Sequence, residues 1–239
     1  YKVTGVQTCA LPILVFFGLE LMKNGFKPIK GLDSFEAWFH AFDVMRADGG
    51  ISYMNTIKCA VVGMVLTMIV QSSSATLGIP IGLAATGVIN YPTAAALVMG
   101  ENIGTTVTAL LASIGTTTIA KRAAYAHFFF NVLGTAWFIA LFPIVLPALA
   151  RLILAKTGFN PMEITIDTME EAKYGQIVTA GIALTHTTFN VANVIIFLPL
   201  VGLLAKFVTW LAPEKKVKEV SHLTYLDVRM LDTPSLGIV

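Results

Sequence analysis

The side chains of this sequence that could bind ions lie in two short polar runs inside apolar stretches. The first run is Gln71-Ser72-Ser73-Ser74-Ala75-Thr76, and the second is Gly100-Glu101-Asn102-Ile103-Gly104-Thr105-Thr106. Hydroxyl and amide groups supply both hydrogen-bond donors and acceptors. Unwound carbonyls and hydroxyls can hold Na⁺, and a helix N-terminus presents free N–H groups to an anion. The two runs therefore indicate an ion site, although this chemistry alone does not separate phosphate from sulfate or a carboxylate.

The composition places these runs in a membrane. Hydrophobic residues make up 56% of the chain and charged residues 13%, whereas a soluble domain carries about 25% charged residues. A chain of this size with a wet surface would need more charge, so lipid is the expected solvent. The net charge of +2 and the lack of a basic stripe with interleaved aromatic residues argue against nucleic acid as a partner. No nucleophile–base pair or metal-ligand cluster indicates an enzyme or a bound cofactor.

Intervals without Asp, Glu, Lys or Arg mark the membrane segments. The long intervals are residues 59–100, 102–120, 123–150 and 174–205, and a shorter apolar segment covers 14–26. Because about 20 apolar residues cross a bilayer as a helix, the sequence predicts an all-α, polytopic integral membrane protein.

The polar runs predict irregular helices. As one helix, residues 59–89 would be roughly 46 Å long, more than a bilayer core needs, and each half alone would be only about 20 Å. We therefore predict a re-entrant helical hairpin with the serine run at its tip. Residues 93–114 have the length of one crossing, and the polar run from Gly100 to Thr106 predicts a broken transmembrane helix. Such elements are tolerated at membrane depth when they line a cavity.

Each polar feature also has a purely structural interpretation. The serine run could pack helices closely or bond to the preceding turn, and the glycines could form a tight helix crossing. Glu101 is the sole acid between Lys58 and Asp167, and an intramembrane acid is a functional candidate.

An internal echo adds two more candidates. The sequence around His127 and Asn131 recurs around His186 and Asn190, in each case with His and Asn four residues apart on one helix face. We interpret these pairs as interhelical hydrogen bonds rather than ligands, with Asn131 and Asn190 kept as secondary site candidates.

The remaining pattern predicts topology. A long helix is expected over 120–154, an acidic loop over 156–172 and a last span over 174–210 with a kink at Pro199. The bias of Lys and Arg, carried by Lys121-Arg122 and the group from Lys206 to Lys218, places these ends in the cytoplasm. We predict a multi-pass protein of the cytoplasmic (inner) membrane with a cytoplasmic C-terminal tail.

Three regions follow from this reading of the chain. Residues 1–13 lack a starting Met and are interpreted as an artefactual N-terminus that resembles a translated sequencing adapter. Residues 14–212 form the transmembrane repeat, and residues 213–239 form a charged, soluble tail.

The two polar runs at this spacing resemble the sodium/phosphate cotransporter family, whose hallmark is a QSSS motif in each of two inverted repeats, each followed by a G-x-N-[IV]-G-[TS] motif. The resemblance covers residues 15–239 and implies sodium-coupled uptake of inorganic phosphate by alternating access. It implies Na⁺ as the coupling ion, no other cofactor, and the bilayer as surroundings. The residues that the resemblance assigns to the phosphate and sodium site are Gln71, Ser72, Ser73, Ser74, Thr76, Asn102, Gly104, Thr105 and Thr106, with Glu101 as a further candidate.

The chain departs from the family pattern in three respects. It carries one QSSS motif, so it resembles the second half of an inverted-repeat transporter, and a missing first repeat or a second protomer would complete the site. Position 101, often small in the family, is Glu. The segment from Tyr225 to Pro234 resembles the lead-in to a PhoU-like helical domain. Alternative functions are a sodium-coupled carrier of another oxyanion or dicarboxylate, or a membrane-bound regulator of phosphate signalling.

Overall fold

The computed structural model describes residues 41–214 continuously, together with isolated positions between residues 13 and 28. The artefactual N-terminus predicted for 1–13 and the tail predicted for 213–239 lie almost wholly outside the described residues, so both stay predictions. A 3-10 helix at Ile166–Thr168 lies in the loop before the fifth α-helix. The α-helices between residues 41 and 214 are α1 Tyr53–Val70, α2 Ser73–Ala85, α3 Tyr91–Ala112, α4 Thr118–Thr157, α5 Glu171–Phe197 and α6 Val201–Leu211.

The described part of the chain is helical, with a single isolated bridge between Met45 and Ile51 in place of any sheet. Four of its helices (α1, α3, α4 and α5) are long and apolar enough to cross a membrane. Apolar side chains of α1 at helical spacing, such as Met54, Ile57 and Val61, are exposed, as expected of a surface that faces lipid or another membrane segment. The predicted all-α, polytopic membrane fold is confirmed.

Helix α3 forms the centre of the bundle and packs against α1, α2, α4 and α5. Its first half is small and apolar, and residues from Ala94 to Met99 are almost completely buried. The Tyr91 hydroxyl, also buried, lies 2.7 Å from Thr185 Oγ1 on α5. Thr185 donates its own proton to the Gly181 carbonyl, so Tyr91 is the donor that ties α3 to α5.

The predicted break in α3 is wrong, because the helix runs without interruption through Gly100 and Gly104. A Cβ at position 100 would overlap the carbonyl oxygen of Ala60 on α1, and one at position 104 would lie 2.5 Å from Met64 O. Gly63 on α1 approaches the carbonyl of Leu97 in the same way. Glycine in a helix costs about 1 kcal/mol, and here that cost is offset by the close approach of two backbones. The tight-crossing interpretation of the glycines is the correct one.

The predicted interruption in the serine run is found. Helix α1 ends at Val70, Gln71 has left-handed backbone angles (φ 55°), and Ser72 is extended before α2 begins at Ser73. The expectation that both halves are too short to cross is wrong for α1. Its 18 residues start at Tyr53 and include Lys58, whose long side chain can reach out of an apolar segment to water. A re-entrant position of this helix pair in the bilayer stays a prediction.

A buried amide joins α4 to α5. Asn193 is fully buried, accepts a hydrogen bond from Trp137 Nε1 at 3.0 Å and donates one to Phe130 O at 3.3 Å. A Cβ at Gly134 would collide with this amide, so the glycine leaves the space that the amide occupies. The contact fixes the relative position of two helices with one side chain.

Replacing Asn193 with leucine is expected to lower stability by about 1–3 kcal/mol, because the Trp137 indole N–H would be left without an acceptor in a dry environment. The measurement is the thermal unfolding midpoint in detergent. The matched control is Asn190→Ala, since the Asn190 amide bonds to its own helix. Equal midpoint shifts for the two variants would show that the interhelical hydrogen bonds contribute little.

The start of α4 meets the end of α6. Arg122 donates from Nε to Ala212 O at 2.9 Å and forms an ion pair with Glu214 at 3.2 Å. The chain also breaks at Leu198–Leu200, between α5 and α6, where the kink at Pro199 is expected. These contacts put Lys121-Arg122 and the Lys206 helix at the same end of the bundle, in agreement with the predicted distribution of basic residues.

Candidate functional site

A cleft of about 200 Å³ lies where the start of α2 faces the second half of α3. Residues from three helices line it: Ser73, Ser74 and Leu77 of α2, Glu101, Asn102 and Thr105 of α3, and His186 of α5. The two polar runs, separated by about one helix length in sequence, therefore meet in space. The break before Ser73 and the glycine crossing behind Glu101 are the two local features that bring them together.

The α2 side of the cleft offers hydrogen-bond donors. Ser72 caps the helix, since its Oγ accepts from Ala75 N and its carbonyl accepts from Thr76 N. The backbone N–H groups of Ser73 and Ser74 belong to the first turn and have no intrahelical acceptor. Their hydroxyls have no hydrogen-bond partner within the described residues, and both residues are exposed. This helix start can donate to an anion, and its dipole favours negative charge.

The α3 side of the cleft offers acceptors. Thr105 Oγ1 donates to the Glu101 carbonyl at 2.9 Å, and Asn102 Nδ2 donates to the Val98 carbonyl at 2.9 Å. The hydroxyl proton of Thr105 is therefore engaged within its own helix. Thr105 Oγ1 and Asn102 Oδ1 still have free lone pairs, which can bind a cation.

Glu101 lines the cleft and has 5% of its surface exposed. Its Oε1 is buried and has no hydrogen-bond partner in the part of the chain that the structure describes. No Lys or Arg of the described residues lines the cleft, and His186 is the other ionisable side chain there.

The structure separates the sequence candidates into two groups. Ser73, Ser74, Glu101, Asn102 and Thr105 line the cleft. The others support it: Gln71 and Ser72 form the break, Gly104 forms the crossing, and the buried hydroxyls of Thr76 and Thr106 donate to Ser72 O and Ile103 O.

Two secondary candidates have a different role from the one predicted. Asn131 and Asn190 donate to the carbonyls of His127 and His186, each four residues earlier in the same helix. The predicted interhelical hydrogen bonds at these asparagines are wrong, because each amide instead reaches the i−4 carbonyl of its own helix. His186 lines the cleft, although the sequence pattern does not place it among the site candidates. The repeated His and Asn pattern drew attention to this position, but it did not show that the side chain faces the cleft.

A larger cavity of about 270 Å³ lies at the far end of α3, between the loop at Asp43, the turn at Gly87–Asn90 and the loop at Asp167. Asp43 accepts hydrogen bonds there from Asn90 Nδ2 and from the Thr93 hydroxyl. These bonds fasten the chain before α1 to the start of α3. None of the sequence candidates lies in this cavity, and we assign it a structural role.

The chain is similar in sequence to one protein family and to several curated proteins. A family model described as Na+/Pi-cotransporter matches residues 14–171. "Uncharacterized protein YqeW" of Bacillus subtilis (strain 168) is 36% identical over 154 residues, which cover 64% of this chain and 43% of that protein. "Putative inorganic phosphate export protein YjbB" of Escherichia coli (strain K12) is 24% identical over 226 residues, 94% of this chain and 36% of YjbB.

A shorter match is to a protein whose name states a transport function. "Sodium-dependent phosphate transport protein 2C" of Rattus norvegicus is 46% identical over 77 residues, 30% of this chain and 13% of that protein. No solved structure matches the chain. The chain spans less than half the length of the curated relatives YqeW and YjbB. The family match covers well over half of this chain, and the chain belongs to the Na+/Pi-cotransporter family, a family of transporters and not of enzymes.

Proposed function

We propose that the protein is a secondary active transporter that couples the movement of inorganic phosphate to that of Na⁺ across the cytoplasmic membrane. The observation that carries the proposal is the cleft, in which free donors at the start of α2 face oxygen acceptors on α3. An anion and a cation can be held side by side in such a cleft. Neutral donors also release an oxyanion more readily than an arginine clamp would.

The hydrogen bonds already present support a proposed role for each residue. Ser73 and Ser74 donate to phosphate through hydroxyl and backbone N–H groups, while Thr105 and Asn102 offer lone pairs to Na⁺. Gln71 and Ser72 hold the break that exposes the helix start. Thr76, Gly104 and Thr106 hold the helices that form the cleft in place and do not contact the ions.

The cleft is open, and we propose that a further repeat, or a second protomer, covers it. Ser73 and Ser74 are exposed, and a transported ion in a membrane must be enclosed during the cycle. In the same arrangement the ends at Arg122 and Glu214 lie on the cytoplasmic side, and the tail after them is cytoplasmic.

The decisive experiment is uptake of labelled phosphate into proteoliposomes by the chain extended to the length of its relatives. We expect accumulation with an inward Na⁺ gradient and none with K⁺ replacing Na⁺. Competition with unlabelled sulfate and succinate separates phosphate from other oxyanions and dicarboxylates. No phosphate flux from correctly inserted protein would exclude the substrate assignment.

The direction of transport is a second question, raised by the name of YjbB, which refers to phosphate export. Liposomes loaded with phosphate and given an outward Na⁺ gradient test this direction. Efflux that follows the Na⁺ gradient in both orientations indicates symport that runs reversibly. Efflux that ignores the Na⁺ gradient would favour export without sodium coupling.

Replacing Ser73 with alanine is expected to raise the apparent KM for phosphate about 5–10-fold, the loss of one hydrogen bond worth roughly 1–1.5 kcal/mol. The measurement is the phosphate dependence of uptake at saturating Na⁺. Ser113→Ala is the matched control, since Ser113 ends α3 and bonds to the Leu110 carbonyl, away from the cleft. Unchanged apparent affinities for both phosphate and Na⁺ in Ser73→Ala would show that the serine run packs helices instead.

A further inference from the structure

Helix α6 presents an uncovered apolar face at one end of the bundle. It has 11 residues, a length of roughly 16 Å that is too short to cross a bilayer. It packs on the start of α4 through the buried Val208 and through Phe207, whose ring meets that of Phe129 edge-on at 4.8 Å. Away from this contact, Leu203 and Trp210 are 67% and 76% exposed. A short helix with such a face is suited to the membrane interface.

A basic residue lies within that apolar face. Lys206 is exposed and comes three residues after Leu203 and four before Trp210, so the three side chains share one side of α6. Lys206 forms no ion pair with any residue between 41 and 214. The stem of a lysine can lie on apolar surface while its ammonium group reaches the lipid headgroups. The face therefore places a cation beside two apolar side chains.

The neighbouring start of α4 adds further positive charge. Lys121 and Arg122 lie in its first turns, and the hydrogen bond from Arg122 to Ala212 O holds them at the end of α6. Arg122 is paired with Glu214, whereas Lys121 has no ion-pair partner in the part of the chain that the structure describes. In sequence, residues 118–122 and 200–220 together carry six basic side chains and two acidic ones. A cluster of about 4–8 basic residues beside a membrane helix is typical of a site for anionic lipids.

We propose that this end of α4 and α6 binds an anionic phospholipid. The ammonium groups of Lys121 and Lys206 contact the lipid phosphate, and Leu203 and Trp210 lie along the acyl chains. The predicted orientation puts the site in the cytoplasmic leaflet, which carries anionic lipids. A soluble anion or an acidic protein segment would use the positive charges alone, whereas a lipid uses the charges and the exposed apolar side chains together.

The lipid site is separate from the cleft between α2 and α3. None of its side chains lines that cleft, and the inference does not depend on the proposed function. The test is therefore a binding measurement that needs no transport. Native mass spectrometry of the detergent-solubilised chain, extended to the length of its relatives, counts bound phosphatidylglycerol and phosphatidylcholine. The ratio of the two bound populations at equal concentrations gives the preference for the anionic head.

The variants separate the charges from the apolar contact. Lys121→Gln and Lys206→Gln remove one charge each, and Trp210→Ala removes apolar surface. Lys156→Gln is the matched control, because Lys156 is also an exposed lysine of α4 but lies in its last turn, at the far end of the helix.

The native protein and Lys156→Gln are expected to prefer phosphatidylglycerol by at least about tenfold. Lys121→Gln and Lys206→Gln should each lower this preference about fivefold, the contribution of one basic residue beside an anionic headgroup. High salt should reduce the preference, because it screens the charges. Trp210→Ala should weaken the binding of both lipids by a similar factor and leave their ratio unchanged.

Three outcomes would overturn the inference. Equal binding of the two lipids by the native protein would exclude an anionic lipid and favour an acidic protein segment as the partner. An equal loss of preference in Lys156→Gln and Lys206→Gln would show an effect of net charge and not of a site. Displacement of phosphatidylglycerol by excess inorganic phosphate would show an anion site without a role for the acyl chains.

Discussion

Replacing Gly100 with alanine is expected to destabilise the protein by about 3 kcal/mol, the upper part of the usual range for an overpacked interior. The new Cβ overlaps the backbone carbonyl oxygen of Ala60, and backbone cannot move aside as a side chain would. To admit the methyl group, α1 must shift away from α3, against which it packs more extensively than against any other described helix. The measurement is the midpoint of thermal unfolding in detergent, together with the yield of monodisperse protein.

The matched control is Gly202→Ala in α6. Gly202 is also a helical glycine, but a Cβ there would meet no atom of the described residues within 4 Å outside its own stretch of helix backbone. With no clash, alanine in a helix is preferred to glycine by roughly 0.5–1 kcal/mol, so this variant should be as stable as the native protein or more. A Gly100→Ala protein that matches Gly202→Ala would contradict the close crossing of α1 and α3.

The glycines of α3 show why the sequence predicted a break and the structure has a crossing. A close crossing needs a residue without Cβ and a helix break often contains one, so the pattern around Gly100 and Gly104 is compatible with either. The information that decides between them lies on α1, in Gly63 and the backbone of Ala60 and Met64. The sequence of α3 alone cannot distinguish a break from a crossing, because the answer depends on which helix packs against it.

The polar residues of the same run illustrate a second limit. Thr105, Thr106 and Asn102 looked incompatible with a regular helix, yet each donates to a carbonyl three or four residues earlier. Local bonds of this kind satisfy the donors without breaking the helix. The break at Gln71 and Ser72 was predictable for the opposite reason, because a serine is a strong N-cap and the run stands at the start of a new helix.

The sequence predicted the cleft residues of α2 and α3, but it did not predict that α5 contributes His186. The two polar runs identified Ser73, Ser74, Glu101 and Thr105 by type alone, since such groups are scarce in apolar segments. His186 was interpreted as part of an interhelical hydrogen bond, because the sequence does not show which face of α5 contacts α3. That contact depends on distant residues, such as the Tyr91–Thr185 hydrogen bond.

Replacing Ser74 with aspartate is expected to reduce phosphate uptake by a factor on the order of 100. A carboxylate about 5 Å from a bound anion, at an effective dielectric constant of about 20, raises the energy of that anion by about 3 kcal/mol per unit charge. The same substitution should not harm the fold. Ser74 lies in the first turn of α2, where an acidic side chain stabilises a helix by roughly 0.3–1 kcal/mol. Loss of uptake with an unchanged or raised unfolding midpoint would therefore show that phosphate binding is weakened while the helix stays folded.

Ser74→Asn is the matched control, because asparagine has the size of aspartate without its charge. We expect Ser74→Asn to retain most uptake and Ser74→Asp to lose it, with the difference shrinking where salt screens the repulsion. Equal loss in both variants would assign the effect to side-chain volume in a cavity of about 200 Å³. Native uptake by Ser74→Asp would mean that phosphate binds elsewhere, and the start of α2 would then be a helix cap that faces a cleft without using it. Comparing Ser74→Asp with Ser74→Asn therefore distinguishes anion binding at the start of α2 from a purely structural role. The position of Ser74 in the cleft is compatible with both roles.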